Sequence, residues 1–273
     1  MNEEDKKIKE CQEYLLIMLK YVDSICEKEK INYSLAFGTM LGACRHKGFI
    51  PWDDDADIVL TRDNYDRLIT ILKSAKLPED IGIYMPGEHD KFYDFAIRLF
   101  YKGKKVRDGK LCNEWYDGIY SYATLDLFVF DSVPDNSILR KWYFFRLKLL
   151  YGLAMSKREK IIYAKHGFIE KLGIKVLSMI GRKMNIADLY EKYDKVSKSH
   201  NSKTGNITCT NWSPEFFSWL YDVKLYSNYI RTDFEDTGLM ISADYRKILT
   251  IDYGEDYMIP KKTHQHGDEF LES

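Results

Sequence analysis

Within Pro51-Trp52-Asp53-Asp54-Asp55-Ala56-Asp57-Ile58-Val59-Leu60, four aspartates run directly into an apolar strand. The proline ring removes a ladder donor, so the strand can begin only after it. On extended backbone the side chains alternate, so Asp53, Asp55 and Asp57 project one way and Asp54 and Ala56 the other. Converging carboxylates repel one another unless a cation or hydrogen bonds compensate, and Ile58-Val59-Leu60 anchors them to a core strand. A D-x-D pair in that setting is a candidate divalent-metal site. A calcium-binding helix-loop-helix reading fails, because Ile58 stands where the loop needs glycine and Asn64 where it needs glutamate.

Upstream, apolar positions from Glu4 to about Lys30 recur at three- and four-residue steps (Ile8, Cys11, Leu15, Met18, Leu19, Val22, Ile25), which predicts an amphipathic helix. Ile31–Phe37 reads as a short strand that stops at Gly38. Gly38-Thr39 then reads as a small-residue turn opening a helix over Leu41–Arg45, with amides free to hold a phosphate. Downstream, Thr61–Lys73 reads as a helix ended by Pro78 and Gly82, and strands are expected at Tyr93–Tyr101 and Tyr122–Phe130. The last holds Asp126, a lone acid among Leu125, Leu127, Phe128, Val129 and Phe130, where a carboxylate needs a partner. With the D-x-D it fits as a third metal ligand. Two metal ions so held would neutralise a transferring phosphoryl group, with Asp126 either a ligand or the base that accepts the hydroxyl proton.

The expected architecture is a mixed α/β (α+β) catalytic core over residues 1–136, a basic helical subdomain over 137–200, and a segment over 201–273 that packs back on the core. Residues 139–185 carry twelve Lys/Arg against only Glu159 and Glu170, interleaved with aromatic residues and leucines. Such a segment either covers the core or rests on an anionic membrane surface. Leu189–Ser199 reads as helical, with shorter elements at Tyr221–Ile230 and Tyr245–Leu249. Forty-one basic against forty-two acidic residues leave no global field for nucleic acid. Five scattered cysteines without a CxxC pair point to a reducing compartment. The charged N-terminus lacks signal-peptide character, and no apolar run reaches about 18 residues. The expectation is a cytoplasmic protein, peripheral at the inner face of the membrane if the basic segment docks there.

The run from Gly38-Thr39-Met40-Leu41-Gly42 through Arg45-His46-Lys47-Gly48-Phe49 to Asp57-Ile58 closely resembles the signature of the LicD family of phosphotransferases. Leu125-Asp126-Leu127-Phe128 leading to Asp131, Val133-Pro134-Asp135-Asn136, Phe234-Glu235 and Tyr253-Gly254-Glu255-Asp256-Tyr257-Met258 extend the likeness to about residue 260. Members often carry a bulkier residue where this chain has Ala56, and Glu255 or Asp256 is one residue more than the usual run. The resemblance implies a nucleotidyltransferase-like mixed sheet flanked by helices, distantly like fukutin-type ribitol-phosphate transferases. It implies Mg²⁺, or Mn²⁺ in its place, as two ions on Asp55, Asp57 and Asp126. It further implies transfer of a phospho-alcohol, typically phosphocholine from CDP-choline, or ribitol or glycerol phosphate from its CDP form. The acceptor would be a hydroxyl of a cell-surface glycan or its lipid-linked precursor.

Gly38, Thr39, Arg45, His46, Lys47, Trp52 and Arg98 are the candidate substrate-binding residues. Arg45, His46 and Lys47 lie close in sequence to the carboxylates and suit donor phosphates. Arg98 is a guanidinium on an apolar strand and needs an acidic or phosphate partner. Trp52 suits a base or a choline methyl group, and Tyr116, Tyr120 and Tyr122 suit a cage. His264 and His266 lack a third zinc ligand at useful spacing. Two other functions compete: a metal-dependent glycosyltransferase, whose D-x-D usually comes later in the chain, and a catalytically silent glycan-binding module, which would not need all three carboxylates.

Overall fold

The computed structural model describes residues 3–89, 94–107, 115–158, 168–201 and 205–260. The expected sites His264 and His266 lie outside them, as does the side chain of Tyr116. Helix α1 (Glu3–Glu29) buries Cys11, Leu15, Met18, Leu19, Val22 and Cys26 on one face, as its periodicity requires. Strand β1 (Ser34–Leu35) is shorter than expected. Phe37 turns into a left-handed conformation (φ 45°) and opens α2 (Phe37–His46), so Gly38 and Thr39 lie inside the first helical turn. Strand β2 (Ala56–Thr61) follows, then α3 (Arg62–Ser74), with Tyr65, Leu68 and Leu72 buried.

Strand β3 (Ile81–Tyr84) contains Gly82, which was expected to end a helix. Its missing side chain makes room for the Phe100 ring across the ladder, where a Cβ would meet Cζ at 2.2 Å. Strand β4 (Ile97–Tyr101) is followed by a 3-10 helix (Trp115–Ser121) and by β5 (Thr124–Ser132). Three helices come next: α4 (Ser137–Met155), α5 (Phe168–Gly181) and α6 (Ile186–Ser197). The Asn136 side chain caps α4 by accepting from the Ile138 and Leu139 amides at 3.0 and 3.1 Å. Strands β6 (Asn206–Cys209) and β7 (Tyr221–Asp222), the hairpin β8 (Tyr229–Phe234) and β9 (Thr237–Ser242), and α7 (Tyr245–Tyr253) complete the chain.

The main sheet is mixed, in the order β1-β2-β5-β4-β3, with β6 on the far end of β5 and β7 on β6. Strands β2 and β5 run parallel at its centre and are the most apolar, as befits strands covered on both faces. Their register sets Asp57 beside Asp126, and the β4–β5 register sets Arg98 beside Asp126. Three chemistry-bearing residues far apart in sequence thus fall side by side at one end of the sheet.

Candidate active site

Only Asp57 of the acidic run lies on β2; Asp53, Asp54 and Asp55 approach it as irregular backbone. That approach is held from α1. Gln12 Nε2 donates to the Ile50 and Asp53 carbonyls at 3.0 and 2.8 Å, and the Cys11 thiol donates to the Asp54 carbonyl at 3.1 Å. The alternation persists through the irregular stretch. Asp54 turns to Arg107, whose Nε donates at 2.5 Å, whereas Asp53, Asp55 and Asp57 act on one another. Burial, and then the charge of Asp55, push the Asp53 and Asp57 carboxyls well above the usual range; Asp126 and Asp53 add to the effect on Asp57. Burial likewise raises Asp126 to about 6, against the opposing pull of Arg98.

Arg98 Nε donates to both Asp126 oxygens at 2.9 and 3.0 Å, Nη1 donates to Asp94 at 2.7 Å, and the guanidinium lies 5.1 Å from the Tyr120 ring centre. Its acidic partner is therefore within the protein. Gly38 packs against Asp53, where a Cβ would lie 2.9 Å from Oδ2, so the first turn of α2 meets a carboxylate that its positive end favours. Thr39 is buried, and its hydroxyl accepts from the Asp57 amide at 2.9 Å, which fixes the strand that carries the acid.

Arg45 and His46 sit in the last turn of α2, roughly 10 Å along the axis from Gly38. Arg45 donates to His46 Nε2 at 2.9 Å and to the Tyr257 carbonyl at 3.1 Å; Lys47 is exposed. Trp52 is half-buried against the core. The carboxylates, Gly38, Thr39 and Arg98 thus form one group, with Arg45 and His46 engaged at the other end of α2.

Tyr253 belongs to the Tyr253-Gly254-Glu255-Asp256-Tyr257-Met258 run near the end of the described chain. It ends α7, and Gly254 follows with φ 86°, a conformation that favours glycine. The Tyr253 side chain is 40% exposed, and its phenol is pushed up by desolvation, by Asp252 and then by Asp57, Asp53 and Asp55. Glu235, in the β8–β9 turn, accepts from the Phe49 amide at 3.0 Å, and its own amide donates to the Lys47 carbonyl at 2.7 Å; it shapes the loop into the acids.

A second feature lies two residues beyond Asp126 on the same face of β5, about 7 Å along the strand. Asn211 accepts from the Val129 amide at 2.9 Å and donates to the Leu127 carbonyl at 3.0 Å. This sets Trp212 against Phe128 (5.3 Å) and Phe37 (4.6 Å). Phe216 stacks on Trp212 at 3.7 Å, and Trp219, 37% exposed, stands edge-on to both. Phe37 reaches this group through a backbone conformation that costs a residue with a side chain about 1–2 kcal/mol.

Among the described residues no three carboxylate, imidazole or thiol groups stand close enough to enclose one ion. A divalent ion that keeps several of its waters would need only one or two of these carboxylates, with substrate phosphates supplying further oxygens.

The family model described as the LicD/FKTN/FKRP nucleotidyltransferase domain matches residues 30–146, which contain every carboxylate of the cluster. The lipopolysaccharide cholinephosphotransferase LicD of Haemophilus influenzae is 28% identical over 273 residues, covering 94% of each chain. Two uncharacterized proteins match over shorter stretches. One, from Rickettsia typhi, is 34% identical over 32% of this chain and 28% of its own; the other, from Rickettsia prowazekii, is 40% identical over 20% and 21%. The domain match and the end-to-end similarity agree, and the chain is similar to the LicD family along nearly its whole length.

Proposed function

We propose that this protein transfers a phospho-alcohol, phosphocholine from CDP-choline, to a hydroxyl of a cell-surface glycan or its lipid-linked precursor, with Mg²⁺ held by Asp55 and Asp57. The observation that carries the reading is the set of carboxylates at one end of the β2–β5 pair. They raise one another's affinity for protons, and Arg98 divides its charge between Asp126 and Asp94. Mg²⁺, when bound, supplies charge neutralisation at the phosphoryl oxygens. Asp126, oriented by Arg98 through both oxygens, accepts the proton of the attacking hydroxyl. Thr39 keeps Asp57 in place through its backbone.

The aromatic group beyond Phe128 favours choline over ribitol or glycerol. A quaternary ammonium is attracted by aromatic faces and gains nothing from hydrogen-bond donors. The aromatic group begins at Phe128, about 7 Å along β5 from Asp126, and Trp219 is its exposed member. The similarity to a cholinephosphotransferase supports the same donor.

The test is release of CMP. Purified protein with Mg²⁺ is given CDP-choline, CDP-ribitol or CDP-glycerol with glycan acceptors, and nucleotide sugars in parallel. CMP from CDP-choline, abolished by chelation, is the expected result. Release of a nucleoside diphosphate from a sugar donor instead would make the protein a glycosyltransferase.

A further inference from the structure

Large hydrophobic side chains at the surface are concentrated on two helices. Of the sixteen that are exposed among the described residues, nine lie on α4 and α5, which pack against each other. On α4, Ile138, Trp142, Phe145 and Leu149 follow a spacing of four, three and four residues and form one stripe, from 38% exposed at Leu149 to 76% at Ile138. The opposite face is the packed one: Tyr143, Leu147 and Ala154 are buried, and the Tyr143 hydroxyl donates to the Ser197 carbonyl at 3.0 Å. The exposed stripe is therefore surplus to what the core requires. Leu172, Val176, Met179 and Ile180 repeat the arrangement on α5.

The charges that flank the two stripes are basic, although α5 also carries Glu170 near its start. On a helical projection Lys141 and Lys148 flank the α4 stripe on one side and Arg146 on the other, all exposed; Lys171 and Lys175 border the α5 stripe. No acidic residue occurs in 137–158 or 171–185. None of the helices among the described residues is long and apolar enough to cross a membrane.

We propose that the joint α4–α5 face is a docking surface for an anionic lipid bilayer, with Trp142, Phe145 and Met179 entering the headgroup–acyl boundary and the flanking lysines and arginine meeting lipid phosphates. An apolar stripe between basic edges is the arrangement that binds such an interface. Contact between two copies of this face would bring like-charged borders together, since a two-fold interface repeats the same patch on both sides. A bilayer carrying negative charge complements both features. The inference concerns binding and stands apart from the proposed chemistry; its consequence is a catalytic centre held at the surface where a lipid-linked acceptor would be found.

Co-sedimentation of the full chain with phosphatidylcholine vesicles, with and without phosphatidylglycerol, tests it. The expected result is binding to the phosphatidylglycerol vesicles that weakens as salt is raised. Trp142→Glu/Phe145→Glu and, separately, Met179→Glu should weaken binding about tenfold or more. Each of Lys141→Gln and Lys148→Gln should weaken it about fivefold. Thermal midpoints and CMP release should stay unchanged. The proposal is overturned if the wild-type protein stays in the supernatant at low salt, if binding survives the double substitution, or if the face instead forms a dimer that the double substitution dissolves.

Discussion

Two aspartates on β5, five residues apart, each face an arginine, and they do opposite things. Asp131 is fully buried. Arg62 grips it with Nε at 2.7 Å and Nη2 at 2.5 Å, the Thr210 hydroxyl donates at 2.5 Å, and Arg62 also reaches Asp194 at 3.0 Å. That network joins α3, β5, α6 and the residue after β6. Asp126 shares Arg98 with Asp94 and stands in the field of Asp55 and Asp57, so negative charge is left over. A buried carboxylate whose partners close around it holds a fold together. One that crowds other carboxylates stores an electrostatic cost that a proton, a cation or a substrate relieves.

Removing Asp57 should have the largest effect. Asp57→Asn should slow CMP release about a thousandfold, roughly 4 kcal/mol. Its thermal midpoint should be no lower than that of the wild type, because repulsion within the cluster is reduced. A parallel fall in stability would mean that the two ends of β5 do not differ in kind. Asp131→Ala should do the reverse, destabilising the fold by about 3 kcal/mol in urea denaturation by leaving Arg62 uncompensated, while activity per folded molecule is retained.

If the Asp126 end is the reacting end, the aromatic surface next to it should be felt only by a cationic donor. Trp219→Ala should raise KM for CDP-choline about fivefold and leave turnover of CDP-glycerol unchanged. The smallest effect is expected at Asp252, a carboxyl raised to about 6 by burial against the lowering hydrogen bond from the Tyr221 hydroxyl at 2.6 Å. Because its folded pKa is above the unfolded value of about 4, its contribution is most favourable below that value and declines as pH rises through about 6. Asp252→Asn should flatten the stability–pH curve between these limits by about 1 kcal/mol or less, after screening at a partly exposed site.

Much of the site was legible because its parts are local. A proline, an alternating acidic run and an apolar triplet place Asp53, Asp55 and Asp57 on one side and Asp54 on the other before any folding is considered, and in the structure Asp54 turns away to Arg107. The lone acid and lone base on apolar strands, Asp126 and Arg98, each announced the need for a partner. What remained hidden depends on register and on short elements. Gly82 looked like a stop because the Phe100 ring that covers it comes eighteen residues later. The hairpin that brings Glu235 to Phe49 joins residues 186 positions apart.

The sequence alone therefore determined the mixed α/β class, from periodicity, and the likeness to the LicD family and the identity of the acidic run, from contiguous residues. Tertiary structure alone decided that Asp126 lies beside Asp57 and Arg98, and that Trp212 and Trp219 stand beyond Phe128. Strand register and loop anchoring are set by which distant side chains pack and bond together, and no local pattern of residues specifies that choice.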